Sequence, residues 1–224
     1  MKNIFDSGYF PDVSLAGEDG LLAVGGSLDI PVLLEAYSKG IFPWYTEGSP
    51  ILWWSPDPRM ILFPDKLKVS KSLDQTLRKR EYEILMDSRF QDVIRQCSKV
   101  HRPGQDGTWI TREMIQAYNQ LHKEGYAHSV EVFAGGELVG GLYGVSLGRA
   151  FFGESMFHLK RDVSKVALYH LVDFTRRHDF DLIDAQQSTP HLKSLGAKEI
   201  PRESFLALLQ ESISRDTLKG RWVL

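Results

Sequence analysis

Two polar side chains end an apolar run in the segment Leu182–Gln186, which reads LIDAQ. Asp184 and Gln186 are two residues apart, so on a β-strand both side chains lie on the same face of the sheet. A carboxylate can take up a proton, and an amide can orient an amine through hydrogen bonds. The pair therefore indicates a site that aligns a nucleophile. An aspartate that only terminates a strand and caps the following turn is the structural alternative.

A second carboxylate, Glu154, stands among apolar residues in the segment Phe151–Phe157, which reads FFGESMF. An ionised carboxylate in apolar surroundings is costly unless it is paired. We therefore expect a cationic substrate group beside Glu154, or else a surface position at the end of a strand. The preceding segment Gly140–Val145 (GGLYGV) places glycines inside a strand, which indicates a ligand lying on the sheet or a bulge.

Aromatic residues are concentrated in three segments, Gly40–Tyr45 (GIFPWY), Leu52–Arg59 (LWWSPDPR) and Gly107–Thr111 (GTWIT). Rings such as those of Trp44 and Trp109 can stack on unpaired bases, which contributes roughly 1–3 kcal/mol per base. Single-stranded ends of nucleic acids leave their bases available for such stacking. The alternative is that these rings pack the N-terminal region against the rest of the chain.

Basic residues are concentrated between residues 66 and 80, with Asp65 and Asp74 interspersed. The part from Ser70 to Arg80 is predicted to be a helix. A solvated helix face explains such a segment as well as a surface that neutralises phosphates and releases their counterions. The candidate phosphate-binding residues are Lys71, Arg78, Lys79 and Arg80.

Composition narrows the class of protein. The 224 residues have a formal net charge of −2 and are 42% hydrophobic, enough for one sizeable core. A single cysteine, Cys97, excludes an intrachain disulfide and fits a reducing cytoplasm. His122 and His128 do not have zinc-ligand spacing, so we expect no metal. No segment approaches the roughly 18 apolar residues of a membrane helix, and Met1–Phe10 does not resemble a signal peptide.

Turn residues and periodicity divide the chain into an irregular part, residues 1–64, and an alternating part, residues 65–224. A hairpin is predicted around Gly135 and Gly136. The predicted helices are Ile30–Lys39, Ser70–Arg80, Phe90–Val100, Thr111–Glu124, Ser164–His178 and Arg202–Ser214. The predicted strands are Tyr82–Met86, Ala127–Phe133, Glu137–Val145, Arg149–Phe152 and Asp181–Ala185. This order predicts an α+β fold with a small N-terminal domain and a larger acyltransferase-like (Gcn5-related) α/β domain.

The motifs, taken in order, closely resemble the leucyl/phenylalanyl-tRNA–protein transferase family over residues 20–202. Further matching segments are GLLAVGG (20–26), HSVEV (128–132), SKVAL (164–168) and HLKSLGAKEIPR (191–202). The resemblance implies a monomeric, cytoplasmic bacterial aminoacyltransferase without a cofactor. It would move Leu or Phe, with Met as a further candidate, from aminoacyl-tRNA to proteins that begin with Arg or Lys. Those proteins are thereby marked for N-degron proteolysis.

The resemblance also implies roles for residues. Asp184 and Gln186 correspond to the catalytic pair, and Glu154 to a substrate-binding carboxylate. Trp44 and Trp109 correspond to walls around the aminoacyl-adenosine end. The apolar pocket for the donor side chain corresponds to Leu142, Phe151 and Met156.

Two positions depart from the family pattern. Relatives can carry Cys where this chain has Ala185, so a thiol nucleophile at this position is excluded. Relatives can carry Met where this chain has Leu142, a swap of similar volume that a pocket tolerates.

Because the donor ester is already activated, the enzyme needs only to align amine and ester and to remove one proton. We hypothesise that Gln186 positions the acceptor amine and that Asp184 polarises Gln186 or accepts the proton. Glu154 is expected to meet the Arg or Lys side chain of the acceptor.

Three other functions share features of this sequence. An acyl-CoA N-acetyltransferase would need a glycine-containing pyrophosphate loop, and His158–Lys165 has no glycine. An aminoacyltransferase with a cell-wall precursor as acceptor is one alternative. A non-catalytic tRNA-binding protein is the other, but it gives no reason for Asp184, Gln186 and Glu154.

Overall fold

A computed structural model of the chain describes residues 8–100 and 108–224. Gly107, the first residue of the GTWIT motif, lies outside the described residues. The N-terminal part contains a three-stranded antiparallel sheet in the order β1-β3-β2 and one helix. Its elements are β1 (Leu21–Val24), α1 (Ile30–Ser38), β2 (Phe42–Pro43) and β3 (Leu52–Trp54).

A larger, seven-stranded sheet forms the centre of the molecule, in the order β10-β4-β9-β8-β7-β6-β5. All neighbours are antiparallel except β8 and β9, which pair in parallel. The strands are β4 (Arg59–Leu62), β5 (Glu83–Met86), β6 (Ala127–Ala134), β7 (Glu137–Leu147), β8 (Ala150–His158), β9 (Leu182–Gln186) and β10 (Lys198–Ile200).

Helices cover both faces of this sheet. They are α2 (Lys71–Lys79), α3 (Phe90–Lys99), α4 (Arg112–Lys123), α5 (Val163–Arg177), α6 (Pro190–Ser194) and α7 (Arg202–Ile213). Because β8 and β9 are parallel, the chain must cross over between their ends, and α5 makes that connection. Among the described residues, none of the helices has the length and apolar character needed to cross a membrane.

Side chains of β7 and β8 alternate between two hydrophobic cores. Tyr143 and Phe152 face the core shared by α1, α3, α4 and α7. Leu142 and Phe151 face the second core, which α2 and α5 cover. Gly40 ends α1 with a φ of 70°, and a Cβ there would come within 2.7 Å of Phe205 on α7. Helix α1 of the N-terminal part is therefore packed directly against α7 of the larger part.

The predicted mixed fold is confirmed, with all six predicted helices present to within one residue at each end. Four features were not predicted from sequence. Strands β1, β2 and β3 lie in the part predicted to be irregular. Strand β8 runs to His158 rather than ending at Phe152, so Glu154 lies inside a strand. The short elements α6 and β10 follow β9. Strand β4 falls within residues 1–64, which were predicted to form the N-terminal domain. It lies instead in the large sheet, between β10 and β9. The division after Pro64 therefore does not coincide with a change of sheet.

Candidate active site

A cavity of about 450 Å³ opens where β8 and β9 separate. The last registered pair of these parallel strands is Phe152 with Asp184. Glu154 and Gln186 each lie two residues beyond that pair, and the Nε2 atom of Gln186 donates to Oε1 of Glu154 at 2.9 Å. The divergence of the two strands thus creates the cavity and brings these two side chains together at its wall.

The cavity wall has an apolar part, called the apolar end, whose side chains belong to the second core, and a polar part, called the polar end. The apolar end is lined by Leu62, Leu142, Phe151, Met156, Leu168 and Ile183. The polar end is lined by Glu154, Ser155, Gln186, Thr189 and His191. Among the lining residues, all of which belong to the described part of the chain, Glu154 is the single carboxylate.

Glu154 is buried and fully engaged in hydrogen bonds. Its Oε1 atom accepts from the hydroxyl of Tyr37 at 2.7 Å as well as from Gln186. Its Oε2 atom accepts from the hydroxyl of Tyr118 at 3.1 Å. Tyr37 comes from α1 and Tyr118 from α4, so the carboxylate is enclosed by side chains from both parts of the chain.

Burial changes the ionisation of the three groups in this network. The two tyrosine hydroxyls also form a short hydrogen bond with each other, so three contacts join Tyr37, Tyr118 and Glu154. Burial raises the pKa of Glu154 to about 7, although its hydrogen-bond donors act in the opposite direction. Burial, and then the nearby Glu154, raise the pKa of both Tyr37 and Tyr118.

Asp184 lies behind the cavity rather than in it. Its two oxygens accept from the guanidinium of Arg59, with Nε to Oδ1 at 2.9 Å and Nη2 to Oδ2 at 2.7 Å. Both side chains are almost completely buried. The guanidinium carbon of Arg59 also lies 4.9 Å and 4.7 Å from the ring centres of Phe42 and Phe205. This ion pair ties β4 to β9 inside the protein.

The same carboxylate fixes the backbone of Gln186. Oδ1 of Asp184 accepts the backbone N–H of Gln186 at 2.8 Å. Gln186 has a φ of 63°, in the left-handed region that non-glycine residues seldom adopt. The turn directs the Gln186 side chain to Glu154, while the Asp184 side chain points to Arg59. The two side chains thus have different partners, and Asp184 contacts Gln186 through the backbone.

One hypothesis from the sequence does not agree with this geometry. A proton acceptor must reach the substrate, whereas Asp184 is 0% exposed and does not line the cavity. The role of Glu154 as a substrate-binding carboxylate stays a prediction, since its oxygens already accept three hydrogen bonds, from Tyr37, Tyr118 and Gln186. The pairing that the buried Glu154 requires is thus supplied from within the protein.

The remaining cavity residues predicted from sequence lie together. Leu142, Phe151 and Met156 line the apolar end, and Trp44 and Trp109 line the same cavity while partly exposed. The indole N–H of Trp54 donates to the backbone oxygen of Trp44 at 2.7 Å. Their rings meet edge to face at 5.8 Å, which fixes the orientation of Trp44.

The predicted phosphate-binding residues lie elsewhere. Lys71, Arg78, Lys79 and Arg80 are exposed on α2 and at its end, and none lines the cavity. Arg78 pairs with Asp74 at 2.8 Å, within the same helix. The structure thus separates this basic helix from the cavity.

Sequence reasoning missed Tyr37, Tyr118 and Arg59 as members of the site. Both tyrosines lie on buried faces of predicted helices, where an aromatic residue indicates core packing. Only their convergence on Glu154 distinguishes them. Arg59 ended a motif that was already noted, and a buried Asp184 would have required a cationic partner of this kind.

Comparison with known proteins shows the family to which the chain belongs. A family model described as leucyl/phenylalanyl-tRNA protein transferase matches residues 61–210, and the model of its N-terminal domain matches residues 26–57. The chain belongs to this family. A transferase of this name from Syntrophobacter fumaroxidans is 60% identical over 91% of this chain and 87% of its own length. One from Desulfatibacillum aliphaticivorans is 55% identical over 96% of this chain and 92% of its own length.

Similarity to solved structures is partial. L-PGS from Bacillus licheniformis aligns with 67% of this chain and 48% of its own, with 10% identity and a TM-score of 0.42. A ribosomal-protein-alanine N-acetyltransferase from Brucella melitensis aligns with 52% of this chain and 88% of its own, with 13% identity and a TM-score of 0.37.

The buried ion pair makes a prediction about stability. Asp184→Asn should lower the free energy of unfolding by about 3–5 kcal/mol, because Arg59 is left buried without a counter-charge. The double variant Arg59→Met, Asp184→Leu should recover most of that loss, because it buries no charge. The exposed pair offers a matched control, since Asp74→Asn should change stability by less than about 1 kcal/mol. Urea unfolding measures all three, and a double variant no more stable than Asp184→Asn would contradict the assignment.

The raised pKa of Glu154 predicts a pH-dependent stability. Because the folded protein binds this proton more tightly than the unfolded chain, ionisation of Glu154 destabilises the fold as pH rises from 4.5 to about 7. Relative to Glu154→Gln, the wild type should lose roughly 3 kcal/mol between pH 4 and pH 8. Urea unfolding of both proteins at several pH values measures the difference. Parallel pH dependences would show that the carboxyl is not perturbed.

Proposed function

We propose that the chain transfers Leu or Phe, with Met as a further donor, from aminoacyl-tRNA to the α-amine of proteins that begin with Arg or Lys. The modified proteins would enter N-degron proteolysis in the cytoplasm, and the enzyme would act as a monomer without a cofactor. Membership of the family supports this reaction. The observation that carries the proposal is the Gln186–Glu154 pair beside a chamber with one apolar and one polar end.

The shape of the cavity suits an aminoacyl ester at the end of a nucleic acid. The apolar end, walled by Leu142, Phe151 and Met156, suits an aliphatic or aromatic apolar side chain. The partly exposed rings of Trp44 and Trp109 can stack on the terminal adenine, since base stacking does not require a fixed sequence. The ester carbonyl would then lie towards the polar end, beside Gln186.

Gln186 is the residue that positions the acceptor amine. Its Nε2 atom donates to Glu154, so its Oε1 atom is the one left to accept an N–H from the amine. Within the described residues no hydrogen bond occupies that oxygen. Arg59 and Asp184 hold the backbone of Gln186 in its left-handed conformation, so both are positioning residues.

Glu154 is the group that takes the proton. A free α-amine has a reference pKa of about 7.7–8.0. Burial brings the pKa of Glu154 to about 7, so a proton can pass between the two groups at little cost near neutral pH. As the amine nitrogen bonds to the ester carbon, its proton passes to Glu154. The bond to the ribose oxygen then breaks, and that oxygen leaves with a proton returned by the carboxyl group.

A transfer assay tests the proposal. Radiolabelled Leu should pass from Leu-tRNA to peptides that begin with Arg or Lys, and not to a matched peptide that begins with Ala. Gln186→Ala should slow single-turnover transfer about 100-fold, because the amine is no longer aligned. Gln120→Ala, an exposed glutamine on α4, is the matched control and should be unaffected.

Each failure has a separate meaning. Transfer to a cell-wall precursor and to neither basic peptide would overturn the acceptor assignment. Binding of Leu-tRNA without transfer to any acceptor would overturn the enzymatic reaction itself. Equal loss in both glutamine variants would overturn the role given to Gln186.

A further inference from the structure

The segment after α7 ends in a buried tryptophan behind the cavity. Trp222 is 3% exposed and belongs to the same hydrophobic core as the apolar end of the chamber. Its ring stacks on His128 at 3.7 Å and on Phe174 at 4.5 Å, and meets Phe180 edge to face at 5.7 Å. None of the sequence motifs reached this segment, and the proposed mechanism does not use it.

Several polar contacts fix this segment to the sheet. The backbone N–H of Trp222 donates to Oδ2 of Asp87 at 2.7 Å, and the same carboxylate contacts Nδ1 of His128 at 2.8 Å. Its indole N–H donates to the backbone oxygen of Leu218 at 3.0 Å. Thr217 accepts the backbone N–H of Gly148 at 2.8 Å. The ring of Trp222 therefore has one fixed position.

Trp222 lies next to Phe151, a residue of the cavity wall. Its ring centre lies 5.9 Å from that of Phe151, which lines the apolar end, whereas Trp222 does not line it. The Phe151 ring is also close to the backbone of β7, because a Cβ at Gly144 would come within 2.6 Å of it. Phe151 thus packs against both the backbone of Gly144 and the ring of Trp222.

We propose that Trp222 is a specificity-determining residue. By packing against Phe151, it keeps that ring in the cavity wall and so sets the depth of the donor side-chain chamber. The inference rests on the proposed aminoacyl transfer. It names the residue that determines which aminoacyl-tRNA is preferred as the donor. A rigid Phe151 limits the space for an aromatic donor side chain. Removal of part of the indole would let Phe151 move back into the core and deepen the chamber. Larger donor side chains would then gain relative to smaller ones.

The test compares kcat/KM for Phe-tRNA and Leu-tRNA with the full-length protein. Trp222→Phe should raise the Phe-to-Leu ratio by about tenfold, the discrimination that a small change in an apolar pocket supplies. Trp53→Phe is the matched control. Trp53 is equally buried, its indole also donates to a backbone oxygen, that of Gly25 at 2.8 Å, and it lies in the other core.

A second comparison separates specificity from stability. Both tryptophan variants should lower Tm, but only Trp222→Phe should change the donor ratio. In a Phe151→Leu background, Trp222→Phe should shift the ratio no further, because its effect passes through Phe151. If Trp222→Phe does not fold, Trp222→Tyr replaces it, with a smaller shift expected in the same direction.

The outcomes are distinct. An unchanged donor ratio in the folded Trp222 variants, or an equal change in Trp53→Phe, would overturn the inference and leave the proposed function intact. Absence of transfer of either amino acid by the wild type would overturn the proposed function and this inference with it.

Discussion

Glu154 is buried and accepts hydrogen bonds from Tyr37, Tyr118 and Gln186. The need to bury and pair this one carboxyl group constrains the arrangement of the molecule around the cavity. The three donors come from α1, α4 and β9, so the N-terminal helix, the helical face and the sheet must all meet at one carboxyl group. A carboxyl placed this way costs energy to ionise, which explains a pKa of about 7. The same cost makes the group useful, because it can exchange a proton with an amine near neutral pH.

The buried ion pair of Arg59 and Asp184 supports this arrangement from outside the cavity. It joins β4 to β9 at the point where β9 ends, and its carboxylate also holds the backbone of Gln186 in a strained conformation. A buried ion pair contributes little net stability, since desolvation offsets most of the attraction. We propose that its role is geometric, because it fixes the backbone from which the Gln186 side chain reaches Glu154.

Local patterns in the sequence were enough for the six longer helices and for the β6–β7 hairpin, because periodicity and turn residues act within a few positions. They were not enough for strand β4, which sits beside β9 only through pairing across more than one hundred residues. Gly153, Glu154 and Ser155 interrupt an apolar segment, so the continuation of β8 was not predicted. Leu142, Phe151 and Met156 were predicted for one pocket and do line one cavity, whereas the partners of Glu154 and Asp184 depend on tertiary contacts that no local pattern records.

The central claim is that Glu154 is the proton acceptor, and the pH dependence of single-turnover transfer tests it most directly. With saturating acceptor peptide, the wild-type rate should rise as pH increases through about 7, as Glu154 ionises. Glu154→Gln should be slower by about 100-fold and should lose this limb, retaining only the ionisation of the acceptor amine. A Glu154→Gln variant with a wild-type rate and the wild-type pH profile would contradict the account.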